Sequence, residues 1–318
     1  MMAGGTGEGL RNTGHGIALT GSARGLAPRE SALPAGACDC HVHIVGPRAD
    51  YPMAADRHYT PGPASLPALQ RHMADAGLDR VVIVQPSVYG TDNRCMLDSL
   101  ARMAGAGRGI AVVDEGIGDD GLRALHAGWV RGLRVNLESV GRSDPAAIQR
   151  SLAAWAERLA PLGWHLQIYA SLDAIAAAAP ALQGLPVPVV LDHFAMIPAD
   201  LPHADARVQA VFRLVREGAA YVKLSASYRI ESAQGLTEGT RALAQAYADC
   251  NPDRVLWASD WPHTNREPGK GPLEVSAYRE IGRGRLLREL HAWFSDQDGL
   301  RRALVDNPSR LYGFGDGA

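Results

Sequence analysis

Two histidines two residues apart, His41 and His43, close the short apolar run ACDCHVHIVG (37–46). Alternate side chains of a strand share a face, which predicts Asp39, His41 and His43 on one side and Cys40, Val42 and Ile44 on the other. Two imidazoles at a strand end can ligate a metal or polarise a carbonyl, and they can equally be a hydrogen-bonded pair in a core. What else reaches them decides between these readings. Three further apolar runs end in polar residues: RVVIVQPS at Ser87, VLDH at His193 and WASDW at Asp260. Arg229 follows a fourth, YVKLSAS. A carboxylate, three histidines and an arginine on one rim are costly to bury without purpose, because buried charge needs partners.

A single rim needs a scaffold whose strands all end on the same side. Strands are predicted at 37–46, 80–87, 109–114, 130–137, 165–170, 187–194, 221–227 and 254–261. A helix follows each one, over 65–77, 92–103, 119–126, 144–159, 171–182, 205–217, 232–248 and 286–304. Eight such units specify a (β/α)8 TIM barrel, whose active sites lie at the C-terminal face of the strands. Alternation then sorts the side chains. In the fourth strand Leu133, Val135 and Leu137 suit the helices, turning Arg134 and Asn136 inward. In the fifth, Leu166 and Ile168 go outward and His165, Gln167 and Tyr169 inward. In the seventh, Val222, Leu224 and Ala226 go outward, leaving Lys223, Ser225 and Ser227 inside. The Pro-rich stretch from Pro47 to Pro67 is long for a strand-to-helix loop and is a candidate lid.

A chain of 318 residues with 46% hydrophobic content can bury one large core, so a single catalytic domain over 36–318 is expected after a flexible arm over 1–35. The net charge of −2 gives no footprint for nucleic acid or an anionic membrane. No segment approaches the roughly 20 apolar residues of a bilayer span. Cys38, Cys40, Cys95 and Cys250 are too scattered for a disulfide framework. These features predict a reduced, cytoplasmic enzyme acting on a small molecule, as a monomer or homodimer.

The motifs DCHVHI (39–44), QPS with GTDN (85–93), GIAVVD (109–114), RGLRVN (131–136), GWHLQIY (163–169), VLDH (190–193), SDWPH (259–263) and NPSRLYGF (307–314) run in order along the chain. Together they resemble the amidohydrolase superfamily, in the branch of lactone hydrolases acting on 2-pyrone-4,6-dicarboxylate. The resemblance implies a hydrolase in aromatic or sugar-acid catabolism that opens a carboxylated lactone. Asp260 would be the general base for the attacking water, and His41, His43 and His193 would surround the lactone carbonyl. Arg134, Ser87, Tyr169, Arg229 and His263 would hold substrate oxygens, since arginine forks suit carboxylates. The same family places a further arginine where this chain has Val140, with Arg142 nearby. A monocarboxylate or sulfonate lactone is therefore an alternative substrate, and lactone isomerisation an alternative reaction.

Binuclear members of the superfamily use a carboxylated lysine on strand four and a histidine on strand five. Arg134, Gln167 and Tyr169 stand near the ends of those strands, and His165 only at a strand start, so a second metal loses its ligands. One Zn2+ on His41, His43, His193 and Asp260 is chemically sensible. The resemblance nevertheless implies hydrolysis that needs no metal, with an activated lactone, a carboxylate-activated water and an electropositive site for the oxyanion.

Overall fold

A computed structural model describes residues 33–135, 145–231, 238–294 and 296–315. Eight parallel strands follow one another around a barrel: β1 Cys38–Val42, β2 Arg80–Val84, β3 Gly107–Ala111, β4 Val130–Val135, β5 His165–Ile168, β6 Val189–Leu191, β7 Ala220–Leu224 and β8 Val255–Trp257. The seam between β1 and β8 is closed just beyond β8. There Val42 bridges Trp261, the His43 amide donates to the Trp261 carbonyl at 2.8 Å, and the Asp260 amide donates to the His41 carbonyl at 3.1 Å. Helices α1 Leu66–Ala76, α2 Arg94–Ala101, α3 Asp119–Ala127, α4 Pro145–Leu159, α5 Leu172–Gln183, α6 Ala206–Arg216, α7 Glu238–Cys250 and α8 Arg283–Trp293 alternate with the strands. This is the expected (β/α)8 barrel. Among the described residues no helix is long and apolar enough to cross a membrane.

Two apolar clusters explain why the strands read as nearly unbroken hydrophobic runs. In β2, Val81 and Ile83 join the outer core against the helices, while Val82 and Val84 join an inner cluster with Cys38, Cys40, Ile110 and Leu256. Burial on both faces is what a parallel sheet inside a helical shell requires. The C-terminal turn plugs the floor, since Leu311, Tyr312 and Phe314 belong to the inner cluster. Helix boundaries follow local chemistry: α1 stops at Gly77 in the left-handed region at φ 75°, and Ser171 and Asp205 accept amide hydrogens at the starts of α5 and α6.

The structure corrects several expectations. Apart from the fourth, whose expected end lies outside the described residues, the strands end two to four residues before the expected boundaries, so Ser87, Tyr169, His193 and Asp260 stand beyond them, and Arg229 follows its strand as expected. Alternation fails where those turns begin: Ala226 has φ 51°, which swings Ser227 away from the interior to donate to Glu289 on α8 at 2.7 Å. The register of β1 slips between Asp39 and Val42. As a result Cys40 and His41 both turn inward, while Asp39 faces out toward His72 on α1. The helix expected over 286–304 breaks after Trp293, because Asp296 caps a new start, α9 Gln297–Arg301, by accepting from the Gly299 amide at 2.7 Å. A π turn, Arg302–Asp306, then leads into α10 Asn307–Tyr312. The inward placement of Asn136 and the start of the seventh helix at 232 lie outside the described residues.

The loop expected as a lid is tied down. Thr60–Pro61 pairs in parallel with Val275–Ser276, the Thr60 hydroxyl donates to the Pro272 carbonyl at 2.7 Å, and the Tyr278 hydroxyl donates to the Gly62 carbonyl. The loops following β1 and β8 thus form one joined rim.

Candidate active site

The inward turn of His41 and His43 brings them to Asp260 and His193. His41 Nε2, His43 Nε2 and His193 Nε2 lie 3.8, 3.7 and 4.0 Å from the same oxygen, Asp260 Oδ1. All four residues are essentially buried. The outer contacts limit which nitrogens carry protons. His43 Nδ1 is 2.8 Å from the Val84 carbonyl, which can only accept, so Nδ1 is protonated and Nε2 is bare. His41 Nδ1 stands between Asp192 Oδ1 at 3.2 Å, which can only accept, and Lys223 Nζ at 3.4 Å, which can only donate, so its contacts allow either tautomer. His193 Nδ1 is 2.8 Å from the Ser225 hydroxyl, which can donate or accept. Of the three, His41 and His193 are therefore free to carry a proton on Nε2, and His43 is not.

Asp260 is held from its other side. Its Oδ2 accepts from the Tyr228 hydroxyl at 2.6 Å and from Arg229 at 2.8 and 3.2 Å, and Arg229 also reaches Thr264 at 3.2 Å. Burial pushes the Asp260 carboxyl up, but Arg229 and the neighbouring imidazoles outweigh it and hold the group well below the usual carboxylate range. Burial also lowers His41 well below its ordinary value, and His43 and His193 to about 4, against the pull of the aspartates. At neutral pH the centre is thus one carboxylate among neutral imidazoles. Its Oδ1 and His41 Nε2 have no hydrogen-bond partner among the described residues.

Beneath the imidazoles lies a second buried set. Lys223 Nζ donates to Gln167 Oε1 at 2.6 Å, and Gln167 Nε2 donates to Asp192 Oδ2 at 3.1 Å. Arg134 Nη2 stands 3.3 Å from the same oxygen. Burial raises the Asp192 carboxyl, but His41, Lys223 and Arg134 hold it far down. Gly132 in the RGLRVN motif has a packing reason: a Cβ there would lie 2.6 Å from the His165 ring.

The remaining expected residues fall into three groups. Arg134 and Tyr169 do meet the site, with the guanidinium 5.1 Å above the Tyr169 ring and that ring 5.6 Å from His193. Ser87 is exposed on the rim and lies within hydrogen-bonding reach of the Tyr59 hydroxyl, as does Thr264. Arg229 already has a carboxylate partner in Asp260. His263 sits beside Asp260, yet it also lines an outer cleft of about 380 Å3 between α1 and α8 with His72 and Trp261. The cleft contains none of the four converging residues.

Asp192, Tyr228, Tyr59 and Thr264 are neighbours of the centre that sequence reasoning did not single out. Asp192 had a signal, as a carboxylate directly before His193 at the end of an apolar strand. Tyr59 had none, because its place depends on the loop pairing.

A metal fits the centre. His41, His43 and Asp260 offer ligand atoms within 4.8 Å of one another, and His41, Asp192 and His193 do so as well. Imidazole nitrogens around an unpartnered carboxylate oxygen are a donor set for one divalent cation, and the carboxylate and the bare nitrogen of His43 equally accept the hydrogens of a water.

The eight-stranded barrel with this centre at its mouth belongs to a known class: residues 38–314 match the amidohydrolase family, and the chain is a member of it. A 2-pyrone-4,6-dicarboxylate hydrolase of Comamonas testosteroni is 35% identical over 301 residues, covering 88% of this chain and 91% of that protein. A 4-sulfomuconolactone hydrolase of Rhizobium radiobacter is 31% identical over 296 residues, covering 90% and 93%. The crystal structure of a Pseudomonas putida protein assigned as a 2-pyrone-4,6-dicarboxylic acid hydrolase superposes with a TM-score of 0.74 at 29% identity, over 90% of this chain and 100% of that one.

Proposed function

We propose that this chain is a lactone hydrolase that opens an anionic, carboxylated lactone by attack of a water activated by Asp260. The observation that carries the proposal is the division of labour within that carboxylate. Oδ2 is occupied by Tyr228 and Arg229, while Oδ1 is bare and faces the imidazoles. A water between Oδ1 and the bare nitrogen of His43 has both hydrogens accepted, so an oxygen lone pair is left for the carbonyl carbon. Protons can pass to Oδ1 because the carboxylate is ionised at neutral pH. The tautomer of His43 argues for holding this water rather than donating to the carbonyl oxygen. His193, Arg134 and Tyr169 are the groups able to donate there or to a substrate carboxylate.

The names of the two relatives support an anionic lactone, one a dicarboxylate pyrone and the other a sulfonated lactone. If a metal is used, His41, His43, His193 and Asp260 would hold one Zn2+, which would supply a Lewis acid for the carbonyl and lower the pKa of a bound water. The test is incubation of the purified protein with 2-pyrone-4,6-dicarboxylate and with 4-sulfomuconolactone in H218O. Acid release with label in the new carboxylate is expected. Turnover without incorporation would point to acyl shift between hydroxyls, and no turnover of either lactone would overturn the reading.

A further inference from the structure

We infer that Glu289 and Arg285 on α8 are positioning residues: by gripping the Ser227 hydroxyl they aim the turn from which Tyr228 and Arg229 reach Asp260. The inference rests on the function proposed above and deepens it, since both residues act on the carboxylate through that turn.

The turn is short, so what holds one of its residues aims the others. Ser227–Arg229 forms a single tight helical turn after β7, and its side chains point two ways. Ser227 turns outward, where its hydroxyl donates to Glu289 Oε1 at 2.7 Å and accepts from Arg285 Nη2 at 2.9 Å. Tyr228 and Arg229 reach Asp260 Oδ2, at 2.6 Å and at 2.8 and 3.2 Å. Arg285 Nε donates to Glu289 Oε1 at 2.7 Å, which closes a triangle around the serine. The same guanidinium lies 3.5 Å from Glu231 Oε2, so one side chain spans the turn from its first residue to the second beyond its end.

Tying the loop down does not require this arrangement. The Ile230 carbonyl already accepts from the Ala199 amide at 2.9 Å, and the Arg229 amide donates to the Ala226 carbonyl at 2.8 Å. Ser227 is fully buried and Glu289 is 3% exposed, and an apolar contact at that depth would join the turn to α8 without burying a charge. What hydrogen bonds add is direction. Ala226 leaves the strand in the left-handed region, at φ 51°, so the sheet no longer sets the path of the chain. The Ser227 hydroxyl, held by one donor and one acceptor, sets it instead. A tilt of the turn would stretch the Tyr228 and Arg229 bonds together and release Asp260 to rotate, and misplacement by about 1 Å can cost a hundredfold in rate.

The test compares Ser227→Ala with the parent protein. It should lower kcat about tenfold with KM changed less than about threefold, the pattern of a lost transition-state interaction and not of a lost substrate contact. A double-mutant cycle with Tyr228→Phe then identifies the route. Because Ser227 acts through the clamp on Asp260, the two losses overlap, and the double variant should fall short of their product by about threefold or more. Losses that simply multiply overturn the inference, as does parental kcat, or a loss confined to KM, in folded Ser227→Ala. Should Ser227→Ala fail to fold, Arg285→Met, at a side chain 23% exposed, replaces it in the same cycle with the same expectations. A second readout needs no lactone. The Tyr228 hydroxyl proton, assigned in NMR by its loss in Tyr228→Phe, should exchange slowly in the parent and markedly faster in the Ser227 or Arg285 variant; unchanged exchange overturns the inference. If the parent opens neither lactone, the proposed reaction fails and this proton alone decides the positioning.

Discussion

Tyr228 donates its hydroxyl hydrogen to Asp260 Oδ2 at 2.6 Å, on the oxygen that does not face the histidines. The hydroxyl is thereby committed: burial and the neighbouring carboxylate push the Tyr228 pKa well above its ordinary value, so it stays protonated and donating. One oxygen of the carboxylate is thus held for support and the other is free for chemistry.

Asp260→Asn removes the proton acceptor while keeping the shape. We expect a fall in kcat of about a hundredfold or more, the scale of a lost general base, with the barrel intact by circular dichroism. Tyr228→Phe should cost less, on the order of tenfold, because one charge-assisted hydrogen bond is lost and Arg229 remains. Steady-state kinetics on purified variants checks both; near-parental turnover in Asp260→Asn would remove it from the role of base.

Arg134 lies above the Tyr169 ring, close to Asp192 but only partly engaged by it at 3.3 Å. Arg134→Met should weaken carboxylated substrates by a few kcal/mol, the scale of a lost charge-assisted pair. Neutral lactone analogues should suffer much less. Equal losses for charged and neutral substrates would assign the residue to supporting Asp192.

Chelation separates the two ways of completing the centre. The carboxylate and the bare nitrogen of His43 can hold a water by themselves, so protein dialysed against chelator is expected to keep most of its lactone-opening activity in metal-free buffer. Activity lost on chelation and restored by about one equivalent of Zn2+ would make His41, His43, His193 and Asp260 ligands first.

Acid should destabilise the barrel earlier than carboxylate titration would. In the unfolded chain a histidine takes up its proton near pH 6.5, whereas burial delays this in the fold to about 4 for His43, His193 and His263 and about 3 for His165. Between those limits the unfolded state binds more protons, so stability falls as pH falls from about 6.5 toward 4. Each such histidine contributes up to about 1.4 kcal/mol per pH unit in that window, and none above it. Urea midpoints at pH 7.5, 6 and 5 check this; a midpoint unchanged from 7.5 to 5 would contradict the burial of these rings.

The barrel was legible because eight apolar runs, each followed by a helical pattern, leave few other solutions. The four converging residues were legible for a related reason: His41, His43, His193 and Asp260 are polar residues at the ends of runs that are otherwise apolar. What escaped depends on departures from regularity. The register slip in β1 turns Cys40 and His41 to the same side, and nothing in a period-two pattern announces it. Ser227 leaves the interior because Ala226 is left-handed, a property with no residue-type signal in alanine. Lys223 was expected inside from alternation, but its link to His41 needed the side chains of three strands at once.

The turns at the mouth carry one more implication. His193, Phe194, Ala195 and Met196 all have φ between 50° and 56°, and Ala226, Asp260 and His263 lie at 51°, 63° and 68°. Each such residue other than glycine costs on the order of 1–2 kcal/mol relative to ordinary backbone. Selection on this chain therefore reads two alphabets at the rim, one of functional groups and one of handedness. A mutational scan scored by activity will rank Val, Ile and Thr poorly at Ala195 and Ala226, though neither alanine side chain has chemistry to lose, and Gly or Asn well at Ala226. Sensitivity to substitution around this mouth measures the path of the main chain as much as the reaction it surrounds.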